Sequence, residues 1–342
     1  MRILVTGASG NIGAALLREL APDPDVTVHG LSRRDPGPGA PAPHDRWTAL
    51  DLGATDDPAV AAQLRDAVRG ADTVVHLAWA LQPMHDRERL LRTNVQGSTA
   101  VFEAARDAGV KHLVHLSSLA VYAPGDKVPV DESYPATGVP SSHYSADKVA
   151  TEQALDALDA PGTVITRIRP ALVTQRAAAS EQARYFLGPL VPRSLVGRYP
   201  LPVLPVPARV GFQVVHAADV ARAVVALLRD PKPGAFNLAA DPPFRPAELA
   251  QVLGARHVPV PEAVARAVVQ ASFRARLQPT DATWLDLVLE LPLLDAGRAR
   301  RELGWVPRSD GPATLREALD GIRDGAGAPG PVLTPQKRRA TP

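Results

Sequence analysis

Arg2-Ile3-Leu4-Val5-Thr6-Gly7-Ala8-Ser9-Gly10-Asn11-Ile12-Gly13 opens the chain with a strand-like apolar run, a glycine-spaced turn and the start of an amphipathic helix. The glycines have separate roles in such a turn. One permits the tight bend, one lets backbone approach a pyrophosphate, and one lets helix and strand pack closely. The helix N-terminus behind them supplies amide donors and the positive end of a dipole. A motif of this kind in mid-chain is weak, but strand-turn-helix context at the first strand makes it a dinucleotide-binding turn, with Gly7, Ser9, Gly10, Asn11, Ile12 and Gly13 as its members.

Outward from this turn, strand-like runs Val26–Leu31, Thr73–Leu77, Lys111–Leu116 and Thr163–Arg167 alternate with helical patterns at Ile12–Leu20, Val60–Val68, Leu90–Ala108 and Tyr144–Leu158. This rhythm predicts an α/β fold: a Rossmann-type doubly wound parallel sheet over residues 1–170, with further core elements near 212–240. After Pro170 the pattern breaks into the Pro-rich stretch Tyr185–Arg209, read as a lid in which Tyr185, Phe186, Leu187 and Leu190 suit an organic substrate. Residues 171–323 are expected to form a smaller, mostly C-terminal substrate-binding lobe. Asp219 is placed as the N-cap of a helix Val220–Leu228, and 324–342, rich in Gly, Pro, Lys and Arg, as a tail without fixed structure.

The second strand ends Ser32-Arg33-Arg34, where NAD-selective domains often carry a carboxylate. Guanidinium groups there favour a 2′-phosphate, so NADP is the expected cofactor, with NAD as the other candidate. Asp51 and Leu52 follow a third strand, where a carboxylate can accept from an adenine amino group and a leucine can cover the ring.

Tyr144 and Lys148 lie four residues apart, which on a helix sets both on one face. A cation near a phenol favours its phenolate, and the phenol can then pass a proton to or from a carbonyl or alcohol oxygen. Ser117 and Ser118 leave the strand that ends at Leu116, on the carboxyl edge where such sheets bind ligands. A serine hydroxyl there can donate to the same oxygen.

With these motifs the chain resembles the extended short-chain dehydrogenases/reductases, the NAD-dependent epimerase/dehydratase family. Further matches are His76-Leu77-Ala78, Asn94-Val95-Gln96-Gly97-Ser98, Ser117-Ser118-Leu119-Ala120-Val121-Tyr122, Arg169-Pro170, His216-Ala217-Ala218-Asp219-Val220 and Leu303-Gly304-Trp305-Val306-Pro307. The resemblance implies Ser118, Tyr144 and Lys148 as the catalytic set, with Lys148 and Tyr144 also at the nicotinamide ribose. It implies Leu77, Ala78, Trp79, Ser117, Pro170, Leu172 and Val173 as cofactor-side residues, and Asn94 holding backbone near the reacting centre and counted with them.

Two departures narrow the reaction. Family dehydratases carry an Asp-Glu pair where this chain has Leu119-Ala120; elimination of water needs that extra acid and base. Many nucleotide-sugar members carry an Asn and a Gly-Pro where this chain has Leu172 and Gln175-Arg176. The segment is instead similar to the carbonyl-reducing branch. Hydride transfer between nicotinamide and a carbonyl or alcohol carbon is therefore expected, with epimerisation on a tightly held cofactor and non-catalytic dinucleotide sensing as alternatives.

Composition sets the outer bounds. The 342 residues are 45% hydrophobic and 22% charged, which fits an ordinary globular chain. The net charge of +2 comes from interspersed acids and bases, so the expected partner is a small-molecule substrate and not nucleic acid. With no cysteine, disulfides, thiolate catalysis and thiolate metal sites are excluded, and no metal site is expected. No apolar stretch suits a membrane span, so the cytoplasm is the expected location. A homodimer through the helices Leu90–Ala108 and Tyr144–Leu158 is a family-level expectation.

Overall fold

The computed structural model describes residues 1–37, 45–82, 85–186, 202–330 and 332–335. Leu187 and Leu190 of the expected lid lie outside these residues. Seven strands make the central sheet: β1 (Arg2–Thr6), β2 (Thr27–Ser32), β3 (Arg46–Ala49), β4 (Thr73–His76), β5 (His112–Leu116), β6 (Val164–Pro170) and β7 (Gly234–Leu238). Their order is β7-β6-β5-β4-β1-β2-β3, with every neighbouring pair parallel. The order reverses between β1 and β4, and a sheet of this kind opens a crevice at the carboxyl ends of those two strands.

Both faces of the sheet are covered, which is why its strands read as continuous apolar runs rather than alternating ones. On one face α1 (Asn11–Leu20) packs beside a helix far along the chain, Ala217–Arg229, and Ala15, Leu16, Val220, Ala221 and Val224 meet there, each at most 1% exposed. On the other face Pro58–Val68 and Gly97–Asp107 bring Leu64, Val101 and Phe102 against Leu4, Val74 and Leu113. Truncating one such core side chain to alanine costs about 2–5 kcal/mol.

Three expectations are corrected. The helix expected over Leu90–Ala108 is interrupted: Arg87–Leu91 and Gly97–Asp107 are joined by a π-helical turn, Arg92–Gln96. That wider turn seats Gly97 against Leu52, where a Cβ would lie 2.5 Å from the Leu52 carbonyl oxygen. Asp219 is not an N-cap, because His216 takes that place through Nδ1, which accepts the Ala218 N–H at 3.1 Å. Asp219 instead lies inside the helix, buried, and accepts the Arg308 N–H at 2.9 Å while its carbonyl accepts from Trp305 at 2.8 Å. This anchors the Leu303–Pro307 segment to the sheet's helical layer.

The third correction is the tail. The helix Gly311–Asp324 ends on Gly325 at φ +63°, and the chain then folds back so that Leu333 is fully buried against Ala14 and Ala178. Hydrogen bonds join this anchor, Ala328 N–H to the Leu333 carbonyl at 2.8 Å and Arg184 Nη2 to the Val332 carbonyl at 2.6 Å, so residues 325–330 and 332–335 pack on the fold in a way that composition alone does not reveal. Among the described residues no helix is long and apolar enough to cross a membrane.

Candidate functional site

The crevice at the switch point is a cleft of about 810 Å³. Its floor is the glycine turn. Gly7 adopts φ +69°, and a Cβ there would lie 2.7 Å from the Ala78 nitrogen; a Cβ on Gly13 would lie 2.3 Å from the Gly7 carbonyl oxygen. Helix α1 therefore sits directly against β1 with its N-terminus facing the cleft. These residues fit a dinucleotide, whose phosphates would lie against the turn.

At the end of β2, Trp47 Nε1 donates to Ser32 Oγ at 3.2 Å, and Ser32 Oγ donates to the Arg34 carbonyl at 2.7 Å, which shapes the loop that presents Arg33 and Arg34. Both arginines are exposed and line the cleft. Asp51 stands across from them and accepts the Gly53 N–H at 3.0 Å, and Leu52 is buried beside it. Asp57 caps the next helix separately through the Ala59 N–H at 2.8 Å.

Every residue expected at the site lines this one cleft except Asn94. Asn94 is 2% exposed and clamps Ala80, accepting its N–H at 2.7 Å and donating to its carbonyl at 2.9 Å. Its amide fixes the wall that follows β4 and does not itself face the cleft. His76 is likewise spent on the core, between Thr6 Oγ1 at 2.7 Å and Ser98 Oγ at 2.8 Å, and burial first, then the charge of Lys148, lowers its pKa to about 3.

The reacting centre joins two elements. The helix His143–Asp156 starts on Ser142, and Ser145 Oγ donates to the Ala120 carbonyl at 2.5 Å while accepting the Val139 N–H at 2.7 Å. This bolts the helix to the Ser118–Tyr122 segment and brings Tyr144 beside Ser118 in the cleft. Burial raises the Tyr144 pKa, with the Ser118 hydroxyl opposing it. The sequence expects Lys148 and the charge of an oxidised nicotinamide together to make the phenol more acidic. In the protein alone burial is the larger influence, and the ammonium is engaged elsewhere: Lys148 Nζ donates to the Leu116 carbonyl at 2.8 Å and lies 3.4 Å from the centre of the Trp79 ring. Lys148 is itself lowered to about 7 by burial, against the pull of Glu152 and Asp147.

Ser117 differs from its neighbour. Its hydroxyl donates to Glu152, a carboxylate also bound by Arg169 Nε at 2.9 Å and Arg169 Nη2 at 2.5 Å. Arg169 continues to Tyr122 at 3.1 Å, and Tyr122 to Asn237 at 2.6 Å. The pair Arg169-Pro170 is therefore tied into a buried polar network under the strand end. Asn11 Nδ2 donates to the Val173 carbonyl at 3.1 Å, so its side chain ties α1 to the strand Leu172–Thr174. Gln175 is directed to Asn11, and Arg176 pairs with Asp324 at 2.7 Å; neither lines the cleft.

Tyr185 and Phe186 of the expected lid line the cleft, whereas several other cleft residues are not marked by any sequence motif. Trp284 and Leu287 on the helix Thr283–Glu290 join Phe186 to wall the region beside Tyr144, and Phe212 also lines the cleft. The Trp284 ring lies 5.1 Å from that of Tyr144 and 5.1 Å from that of Phe186. Glu181 also faces the cleft, 7% exposed, and accepts the Tyr185 hydroxyl at 3.0 Å. Helical periodicity marks Trp284 and Glu181 only as candidates for a buried face.

Residues 3–239 match the model described as the NAD dependent epimerase/dehydratase family. The chain belongs to this family. Reductases and an epimerase are among its relatives, and the chain spans about half to two thirds of the length of the first two reductases. It is 31% identical over 174 residues to a 4-hydroxy-2-methyl-3-oxo-4-farnesyl-3,4-dihydroquinoline-1-oxide ketoreductase of Stigmatella aurantiaca, a match that spans 51% of this chain and half the length of that protein. It is 31% identical over 344 residues to a UDP-glucose 4-epimerase of Azospirillum brasilense, over 94% of this chain and 89% of that one. A short-chain dehydrogenase/reductase superfamily protein from Agrobacterium tumefaciens, solved with bound NAD, shares the fold at a TM-score of 0.69 and 22% identity, over 94% of this chain and 97% of that chain.

Proposed function

We propose that this family member reduces the carbonyl of an apolar, uncharged substrate with NADPH, and oxidises the matching alcohol in reverse. The observation that carries the reading is that Ser118, Tyr144 and Lys148 meet in one cleft, beside a wall of Trp284, Leu287 and Phe186. The dinucleotide, when bound, supplies hydride chemistry. Ser118 donates a hydrogen bond to the substrate oxygen, and Tyr144, protonated at neutral pH, gives that oxygen its proton. Lys148 holds the cofactor ribose and returns Tyr144 to its protonated form. The apolar wall excludes water, which strengthens these polar interactions.

Arg33 and Arg34 support NADP over NAD, since a guanidinium pairs with a 2′-phosphate and finds no partner on a bare ribose. Leu119 and Ala120, both on the cleft, offer no acid or base for elimination. The ketoreductase relative acts on a farnesylated ketone by its name, in keeping with an apolar site.

The likeness to an epimerase along nearly the whole chain favours a second reading, in which the cofactor stays bound through oxidation and re-reduction. Incubation of purified protein with ketones of graded hydrophobicity and either NADPH or NADH, followed at 340 nm, tests the first. Nucleotide consumption matched to product, and faster with NADPH, is expected. Turnover with no added nucleotide would replace it with the second reading. If Tyr144→Phe leaves every turnover unchanged, the chain is instead a dinucleotide sensor.

A further inference from the structure

Lys148 has an assigned partner in the reading above, yet its ammonium already has occupants. One of its three donors is on the Leu116 carbonyl at 2.8 Å, and the face of the Trp79 indole covers it at 3.4 Å from ring centre. Trp79 lines the cleft and packs edge-on to Tyr144, with ring centres 6.0 Å apart. Ring and ammonium line the same cleft, so a ribose that takes the lysine there competes with the indole face. Two groups cannot hold one side of the same ammonium.

The indole position is also incompletely satisfied. Trp79 Nε1 is buried without a hydrogen-bond partner, and an unpaired buried donor carries a cost of about 1–3 kcal/mol. The cation–π contact opposes this cost, being worth about 0.5–2 kcal/mol depending on desolvation. A ring held by one interaction against one penalty is poised to move once the cation finds better acceptors, and ribose hydroxyls are such acceptors.

We propose that Trp79 is a displaceable cap on Lys148: its ring covers the ammonium, as seen here, and swings off when ribose hydroxyls take the lysine. Sequence reasoning makes Trp79 a fixed wall of the cofactor site. As a cap it competes with the cofactor, so apparent affinity is reduced by the fraction of molecules with the ring in place. Trp79 is then a positioning residue that delivers Lys148 only to a loaded site. The inference rests on this cleft being the dinucleotide site.

Titration calorimetry with NADPH on the wild type, Trp79→Phe, Trp79→Leu and Trp79→Ala tests it. Removing the π face in the Leu and Ala variants is expected to tighten binding about 3- to 30-fold, the fold-change of a lost cation–π contact. The Phe variant, which keeps a ring face, is expected within about 3-fold of wild type, phenyl being the weaker cation–π partner. The Leu variant fills the space should the Ala variant not fold. Tryptophan emission excited at 295 nm, wild type minus Trp79→Phe, is expected to change as NADPH is added. Equal or weaker binding by both the Leu and Ala variants would restore the fixed wall and overturn the cap. A protein that binds neither NADPH nor NADH in any of the four forms would overturn the cleft assignment as well, which separates the two failures.

Discussion

The two ends of the cleft are built on different physical terms. The dinucleotide end is made by backbone: Gly7 and Gly13 leave no room for a Cβ, and Ala80 is fixed through its main chain by Asn94. The end proposed for substrate is made by side chains from widely separated stretches, with Phe186, Trp284 and Leu287 beside Tyr144 and Phe212 also on the cleft. Backbone sterics admit few solutions, whereas an apolar wall can be rebuilt from many side chains of similar volume. On the proposed reading, one end holds a common cofactor rigidly and the other can vary in what it accepts.

Tyr144 belongs to both ends, and its loss should have the largest effect. Tyr144→Phe keeps the ring packing with Trp284 and removes only the hydroxyl. We expect kcat to fall about 10²- to 10⁴-fold, the usual worth of a general acid, with NADPH affinity by calorimetry within about 3-fold of wild type. A loss confined to KM would contradict the proton-donor role.

The next pair sets the ends against each other. A methyl group at residue 13 would lie 2.3 Å from the Gly7 carbonyl oxygen and 2.7 Å from Ala8, both backbone. Gly13→Ala should therefore separate α1 from β1 and weaken NADPH binding about 100-fold or abolish folding. Trp284→Ala removes a side chain only. It should leave NADPH affinity unchanged and raise KM for an apolar ketone about 10-fold, as expected for one lost aromatic contact surface. If Trp284→Ala instead weakened NADPH as much as Gly13→Ala does, the division between a backbone end and a side-chain end would fail.

This division also governs what the sequence makes legible. The glycine turn is readable because three glycines, a strand and a helix lie within a dozen residues and act through local backbone geometry. Tyr144 and Lys148 are readable because one helical turn aligns them. Trp284, Glu181 and Phe212 are not, since only the fold brings them to the cleft and their neighbours in sequence mark nothing chemical. Asn94 is legible through the resemblance as a residue that holds backbone, which fits its clamp on Ala80, but which backbone it holds is not, because a π-helical turn aims its amide there and a 3.6-residue period predicts no such turn. Asp219 fails as a cap because its partners, Arg308 and Trp305, lie almost ninety residues away. The raised Tyr144 pKa of the protein alone has the same origin, since burial and the attitude of Lys148 are properties of packing.

A smaller effect is expected where the cofactor end is made by side chains. Arg33 and Arg34 are exposed and line the cleft at the end of β2. The double substitution Arg33→Ala/Arg34→Ala should weaken NADPH about 10- to 100-fold, the value of charge-assisted hydrogen bonds. NADH should be affected less than about 3-fold. Equal loss with both nucleotides would locate the arginines at a phosphate common to both, and the preference for NADP would lose its support.

The smallest effect concerns Glu181, a carboxyl facing the cleft with the Tyr185 hydroxyl as donor. Burial raises its pKa from 4.5 to about 7, against the Tyr185 bond and the Arg184 charge. The folded chain therefore keeps a proton that the unfolded chain has released, and this contribution to stability is complete below pH 4.5 and lost as pH rises through 7. Glu181→Gln keeps an acceptor for Tyr185 and removes the titration. The Tm of the wild type should fall relative to that of the variant by about 3–5 °C between pH 5 and pH 8. His76 and His112, held neutral by burial with pKa values of about 3 and about 4, weaken both proteins below pH 6.5. They are common to the two chains, so they cancel in the difference and leave Glu181 alone. Parallel Tm curves would mean that water reaches Glu181, and that the middle of the cleft is wetter than its 7% exposure implies.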